Sequence, residues 1–133
     1  MKYKAKELTI NLKEKIANME ERLEMVSALL LQRYAPLFIE KNMELFIEFE
    51  RSKKNPFEAG YESSISIAVT DENGDMIDFY RIPIWECERH FLGLPVLVKI
   101  PGSRITGELM DESEKEVEME IAEHLEELLQ LPN

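Results

Sequence analysis

The sequence is poor in the residues that carry most protein chemistry. Among 133 residues it has one cysteine, two histidines and one tryptophan, and its five glycines are scattered. A single cysteine excludes an intramolecular disulfide, which favours a reducing, cytoplasmic location. Scattered glycines exclude a glycine-rich phosphate-binding loop. No apolar run approaches the roughly 18 residues that a membrane span requires, so we expect no membrane partner.

Positive charge is also scarce. Sixteen basic residues face 27 acidic ones, and the net charge is −11. That balance disfavours nucleic acid as a partner, because nucleic acid requires a cationic surface. Residues 111–128 hold nine acids and one base, while the rest of the chain is close to balanced. This acidic segment predicts either a solvated helix face or a surface that docks a basic protein.

A long amphipathic helix is predicted over residues 11–34. Its apolar positions recur at steps of three and four, and they are Leu12, Ile16, Met19, Leu23, Val26 and Leu30. Asn11 with Glu14 has the pattern of a capping box, and Thr9 is a rival cap. Pro36 is expected to end or kink the helix near residue 35.

The same helix has two interpretations. A heptad assignment makes Leu12, Ile16, Met19 and Leu23 the seam of a parallel homodimer. Packing of the helix across a sheet of the same chain gives much the same pattern. Met25, Leu29 and Leu31 widen the stripe, so residues 25–34 are expected to be buried on several sides. Residues 11–24 then remain as the part that meets a second copy.

The middle of the chain alternates with a period of two, which predicts antiparallel strands. Strands are expected near residues 43–50, 61–70, 75–85, 95–100 and 104–110, with an irregular connection over 86–94. Asn73 and Gly74 fit a two-residue type I′ hairpin turn. Ser113 and Glu116 form a capping box that opens an acidic last helix.

These elements predict an α+β fold. It consists of a long N-terminal helix, an antiparallel meander of four or five strands and a C-terminal acidic helix. We expect a single domain over residues 1–133. Residues 1–8 are left open between a short strand and a loose basic tail, and residues 3–10 between strand, helix and tail.

The hairpin places Val69 with Asp78, and Ile67 with Tyr80, on one face of the sheet. The opposite face is more apolar than a solvated face usually is. It carries an arginine and several aromatic residues, which often anchor interfaces. The candidate interaction surface consists of Phe46, Ile77, Phe79, Arg81 and Trp85. The alternative is that another part of the chain covers this face.

Reactive side chains cluster only around Cys87 and His90, with a glutamate on each side of Cys87. A structural zinc site requires four such ligands, usually as two pairs, and only one pair is present. A cysteine nucleophile requires an adjacent base and an orienting carboxylate, and neighbours three residues apart arise by chance. His124 lies near Glu120 and Glu127, and it is either an ordinary residue at the border of the apolar stripe of the last helix or a pH-sensitive contact. We predict no catalytic residue, metal or cofactor.

The sequence therefore determines no function by itself, and three hypotheses follow. The first is a small cytoplasmic protein-interaction or regulatory protein, acting as a homodimer. The second is an acidic chaperone or immunity-type inhibitor that binds a basic client protein. The third is an enzyme or small-molecule binder with a pocket near Tyr80, Arg81, Trp85, Cys87 and His90.

Overall fold

A computed structural model describes residues 1–131. In chain order its elements are β1 (Lys2–Lys4), a 3-10 helix (Ala5–Glu7), α1 (Ile10–Ile39), β2 (Glu44–Arg51), β3 (Tyr61–Thr70), β4 (Met76–Phe91), β5 (Leu94–Val96), β6 (Arg104–Leu109) and α2 (Glu114–Leu129). The α+β class, with a long first helix, an antiparallel sheet and a last helix, is confirmed. None of the described helices is long and apolar enough to cross a membrane.

The sheet has six strands rather than four or five. Its order is β1-β6-β4-β3-β2, and β5 pairs with β4 beside this path. The additional strand is β1, which pairs antiparallel with β6 so that Lys2 lies opposite Glu108 and Lys4 opposite Thr106. The first residues of the chain thus form a strand and a 3-10 turn, which settles what the sequence left open there.

Helix α1 begins one residue earlier and ends later than predicted. Its first turn is capped by Thr9, whose Oγ1 accepts a hydrogen bond from the backbone N–H of Leu12 at 3.3 Å. The Asn11 cap was therefore wrong and the rival Thr9 correct. Pro36 lies inside the helix, which continues to Ile39. The continuation places Phe38, which is fully buried, on the same face as Tyr34, and this burial offsets the hydrogen bond that proline cannot make.

The expected widening of the stripe in α1 was wrong. Met25 and Leu29 are each 61% exposed, and only Leu31 is half-buried. The buried positions of the second half continue the original seam through Val26, Leu30 and Tyr34. A helix packed on one side needs only this single stripe.

The turn between β3 and β4 also differs from the prediction. Gly74 has a positive φ of 82°, whereas Asn73 does not have a positive φ, so the turn is not type I′. The Gly74 N–H donates to the Asp71 carbonyl at 3.0 Å, and the Asp71 N–H donates to the Asp75 carbonyl at 2.9 Å. These bonds define a three-residue loop in which glycine takes the left-handed position. Strand β4 then continues to Phe91, so the irregular connection predicted for residues 86–94 was wrong.

The chain divides into two compact units. Unit 1 comprises residues 1–21, 50–64 and 83–111, and unit 2 comprises residues 22–49, 65–82 and 112–133. Unit 1 contains 11 basic and 11 acidic residues, whereas unit 2 contains 5 basic and 16 acidic residues. The whole net charge of −11 therefore belongs to unit 2. The single domain expected from the sequence stays a prediction.

Candidate functional site

The predicted interaction surface is largely open in unit 2. Phe46 is 38% exposed, Ile77 is 46% exposed and Phe79 is 55% exposed. Phe46 and Phe79 alternate along their strands with side chains on the other face, since Leu45 and Ile47 are buried and Asp78 and Tyr80 contact α2. Ile77, near the start of β4, also lines a depression together with Val69 and Leu128. Arg81 shares the strand parity of Phe79 and is half-buried. These four residues are called the open sheet face below.

Trp85 does not belong to this surface. It lies in unit 1, its side chain is 0% exposed, and its Nε1 donates to the Pro56 carbonyl at 2.6 Å. Tyr3 and Phe57 pack beside its ring, with centroid distances of 6.0 and 6.1 Å. The placement of Trp85 on the interaction surface was therefore wrong. Strand parity predicts the face on which a residue lies but not the loop that covers it.

Met76, in contrast, was not predicted to belong to the interaction surface, and it is 62% exposed. It begins β4 directly after the turn, next to Ile77. A strand end next to a turn has few neighbours above it, so alternation alone is a weak guide to exposure there. The apolar surface near Ile77 is larger than the sequence indicated.

The predicted homodimer seam is packed within the single chain. Leu12 is 6% exposed, Ile16 and Leu23 are 0% exposed, and Met19 is half-buried. A dimer formed through these four side chains would first have to remove them from the core. The interpretation in which the helix packs on its own chain accounts for their burial.

A cluster of titratable side chains connects α2 with β4 inside unit 2. The Tyr80 hydroxyl donates a hydrogen bond to Glu120 Oε1. His124 Nε2 lies 2.7 Å from Asp78 Oδ2, and the His124 and Tyr80 rings pack at a centroid distance of 5.0 Å. The sequence placed His124 near glutamates of its own helix, whereas its partner is Asp78 on β4. Only the docking of α2 brings Asp78 and His124 together.

Hydrogen bonding and burial change two pKa values in this cluster. The hydrogen bond to Glu120, followed by burial, raises the pKa of Tyr80 to about 12. A hydrogen bond to Glu120, partial burial and neighbouring carboxylates raise the pKa of Glu112. Glu112 and Glu120 therefore form a pair of carboxyls that disfavours two full negative charges. Within residues 1–131, no three His, Cys, Asp or Glu side chains are arranged to hold a metal ion.

Replacing Glu112 with glutamine should stabilise the protein at neutral pH. The folded pKa of Glu112 lies above its ordinary value of 4.5, so its ionisation lowers stability as the pH rises through the raised pKa. We expect E112Q to increase the free energy of unfolding at pH 7 by about 0.2–0.5 kcal/mol, the size typical of a like-charge pair. Thermal unfolding at pH 7 and at pH 4 measures the effect, and the gain should vanish at pH 4.

The matched control for this variant is Glu123→Gln, which removes the same charge from an exposed position of α2. It should leave stability almost unchanged at both pH values, because exposed single charges contribute little. An equal gain in both variants would show that general charge reduction, and not the contact with Glu120, is responsible.

The structure does not bring Cys87 and His90 together. Cys87 is buried, and this burial raises its pKa to about 11, so the thiol stays protonated at neutral pH. His90 is half-exposed, and its Nε2 lies 3.1 Å from Glu88 Oε2. Residues 87 and 90 are three apart on strand β4 and point to opposite faces. Cys87 and His90 are thus not arranged as a nucleophile and its base. Of the residues of the predicted pocket, Tyr80 and Arg81 belong to unit 2, whereas Trp85, Cys87 and His90 belong to unit 1.

Comparisons with known proteins do not add a family to this description. No family model, no curated protein and no solved structure matches the chain. Function must therefore be argued from the surfaces and charges of the molecule itself.

Proposed function

We propose that the chain is a small cytoplasmic protein-interaction or regulatory protein that holds a protein partner on its open sheet face. The observation that carries the proposal is the exposure of Phe46 on β2 and of Ile77 and Phe79 on β4, the two strands that flank β3 in the sheet. Several large apolar side chains left exposed on one surface are characteristic of a binding site. Arg81 adds the residue type that, with aromatic residues, most often anchors interfaces.

The charge of unit 2 indicates the kind of partner. Unit 2 contains sixteen acidic and five basic residues, and two of the acids, Glu44 and Glu48, are exposed and share the strand parity of Phe46. A partner with a basic rim and an apolar centre complements such a surface, and the charges increase its rate of association. The same charge disfavours nucleic acid and anionic lipid as partners of unit 2. An immunity-type inhibitor of a basic protein is the specific form that this function takes if electrostatics dominates the affinity.

The homodimer is the alternative occupant of the same face. A second copy would carry the same negative charge, and like charges across an interface disfavour association. The apolar centre of the face, in contrast, favours association with a second copy. A protein partner of opposite charge satisfies both properties of the surface and is therefore preferred.

Replacing Phe79 with aspartate should weaken partner binding strongly without unfolding the protein. The partner is first captured from the source cell and identified by mass spectrometry, and its affinity is then measured by calorimetry. Loss of a central aromatic anchor costs about 2 kcal/mol or more, which corresponds to a roughly 30-fold weaker Kd. Thermal unfolding should change little, because Phe79 is 55% exposed.

Ile10→Asp is the matched control, because Ile10 is 75% exposed and lies in unit 1. It should bind like the unchanged protein. Equal losses in both variants, or none in F79D, would contradict the proposed face. Light scattering tests the alternative occupant, since a dimer mass that F79D reduces to a monomer mass assigns this face to self-association. A salt titration separates the inhibitor from the general interaction protein, because a charge-driven complex weakens steeply with salt.

A further inference from the structure

Unit 1 contains a groove that is lined by basic residues and has no acidic one. Its volume is about 610 Å³, and its lining consists of Lys4, Ala5, Lys6, Arg89, Lys99, Ser103, Arg104, Ile105 and Thr106. Five of these nine residues are cationic, although unit 1 as a whole has equal numbers of acids and bases. The nearest acidic residues, Glu7 and Glu88, line an adjoining depression that shares Lys4 and Thr106 with the groove.

The topology explains how separate segments supply these charges. Strand β1 ends at Lys4, opposite Thr106, while β6 extends further to Arg104. The chain turns away at Lys4 into the 3-10 helix that carries Lys6. Beside β6 on its other side, Arg89 of β4 lies opposite Ile105. The groove thus forms at the end of β6 that β1 leaves uncovered.

Arg89 of β4 is held in position by the turn that precedes β6. Arg89 Nη1 donates to Ser103 Oγ at 3.1 Å, and the Ile100 N–H donates to the same oxygen at 3.3 Å. The turn is closed by the Ser103 N–H, which donates to the Ile100 carbonyl at 2.9 Å, with Gly102 at a φ of 87°. A guanidinium that is already ordered loses less entropy when it binds an anion.

The five cations of the groove are not neutralised by close ion pairs. Within residues 1–131, none of them forms an ion pair with a carboxylate. Like charges that share a groove repel one another, and an anion with several charges would relieve this repulsion. The hydroxyl groups of Ser103 and Thr106 add donors of the kind that bind phosphate oxygens.

We propose that this groove binds a compact ligand that carries at least two phosphate groups. Its volume lies within the range of roughly 300–1,000 Å³ that is usual for small-molecule sites. The lining has no aromatic ring on which a nucleobase would stack. The recognised chemistry is thus the phosphate groups themselves on a small non-aromatic carrier. The site lies in unit 1 and is independent of the open sheet face in unit 2.

Phosphate groups of this kind have two sources, a soluble molecule and a phospholipid headgroup. The neighbouring segment makes the second source testable, because Leu92, Leu94, Leu97 and Val98 are 85%, 68%, 73% and 66% exposed. This segment leads directly into Lys99 of the groove. Leu92 also has a positive φ of 52°, an unfavourable conformation for leucine that places it at the tip of the hairpin between β4 and β5.

The test is calorimetric titration of the full chain with inorganic pyrophosphate. We expect saturable binding with one ligand per chain, and a Kd that the double variant K99Q/R104Q weakens at least about tenfold, since hydrogen bonds to charged groups are strong. Lys99 and Arg104 are exposed, so this variant should fold. Its ligand-free melting temperature should be equal to or above that of the unchanged protein, because mutual repulsion is removed. A lower melting temperature would assign a structural role to these residues.

The matched control is K13Q/K15Q, which removes two exposed lysines of unit 1 outside the groove. It should bind pyrophosphate like the unchanged protein. In a parallel arm, sedimentation with phosphatidylcholine vesicles is compared with vesicles that also contain a phosphorylated phosphatidylinositol. Binding to the second vesicles alone, lost in K99Q/R104Q, supports the site and assigns the phosphate to a lipid. Binding of neither probe, or equal losses in both double variants, overturns the proposal. Tighter binding of a single-stranded oligonucleotide than of pyrophosphate overturns it as well.

Discussion

Replacing Gly107 with alanine should destabilise the protein by about 3 kcal/mol or more, at the upper end of what overpacking costs. A Cβ atom at Gly107 would lie 2.0 Å from Trp85 Cη2 and 2.4 Å from Trp85 Cζ2. The indole has no room to retreat, because it is 0% exposed and its Nε1 is bonded to Pro56. Since β4 and β6 are paired at this point, with Cys87 opposite Gly107, the backbone is held as well. Urea unfolding measures the loss.

Gly93→Ala is the matched control for this substitution. Gly93 has a φ of 80° and no heavy atom within 4 Å of its Cβ position, so it reports the cost of the left-handed backbone alone. That cost is about 1–2 kcal/mol. Similar losses at the two glycines would refute a steric origin at Gly107. In a protein that already carries Trp85→Leu, G107A should lower the free energy of unfolding much less than it does in the unchanged protein.

This experiment also separates two roles of Trp85. If the indole belongs to the core of unit 1, G107A lowers stability. If it were a binding residue that can move outward, the alanine would be tolerated and partner binding would change instead. The contacts of Trp85 predict the first outcome.

Replacing Tyr61 with phenylalanine should lower the free energy of unfolding by about 2 kcal/mol, within the range for hydrogen bonds to charged groups. The Tyr61 hydroxyl donates to Glu20 Oε2 at 2.6 Å, and the two residues are 1% and 5% exposed. Phenylalanine keeps the ring and its packing but removes this donor from a buried carboxylate. Most of the expected cost comes from the carboxylate that is left behind. Chemical denaturation at pH 7 is the measurement.

The double variant Y61F with Glu20→Leu isolates that cost. It removes both polar partners, so adding Glu20→Leu should restore part of the stability that Y61F alone loses. If the losses simply add, the two side chains do not act as a pair. Leucine at position 20 continues the buried stripe of α1, which already has Ile16 and Leu23 on this side.

The same pair predicts a dependence on alkaline pH. Burial and the hydrogen bond to Glu20 raise the pKa of Tyr61 above its ordinary value of 10.0. A raised pKa means that the stabilisation is complete below pH 10 and is lost as the pH rises further. Y61F should therefore show a shallower alkaline loss than the unchanged protein. Some loss should remain in the variant, because the pKa values of Tyr34 and Tyr80 are raised too.

The periodicity of the sequence predicted which helices and strands form better than it predicted where each one begins and ends. The period of two identified β3, with Ile65, Ile67 and Val69 all buried on one face. It failed beyond Ile84, where two adjacent residues, Ile84 and Trp85, are both buried. Alternation assumes one covered face, and unit 1 covers Trp85 with Pro56 and its neighbours. Proline rules likewise misplaced the end of α1, because the burial of Phe38 outweighs the local cost of Pro36.

The sequence left open whether the face with Phe46, Ile77 and Phe79 is covered, and whether the stripe of the first helix packs on the same chain or on a second copy. By itself it determined the α+β class, the long first helix and the apolar stripe of that helix. These follow from local spacing, which the geometry of helices and strands converts directly into faces. Only the tertiary structure decided that Trp85 is a core residue, that His124 meets Asp78, and that five cations from separate segments share one groove. Such contacts join residues far apart in the chain, and no local rule specifies which of them the fold brings together.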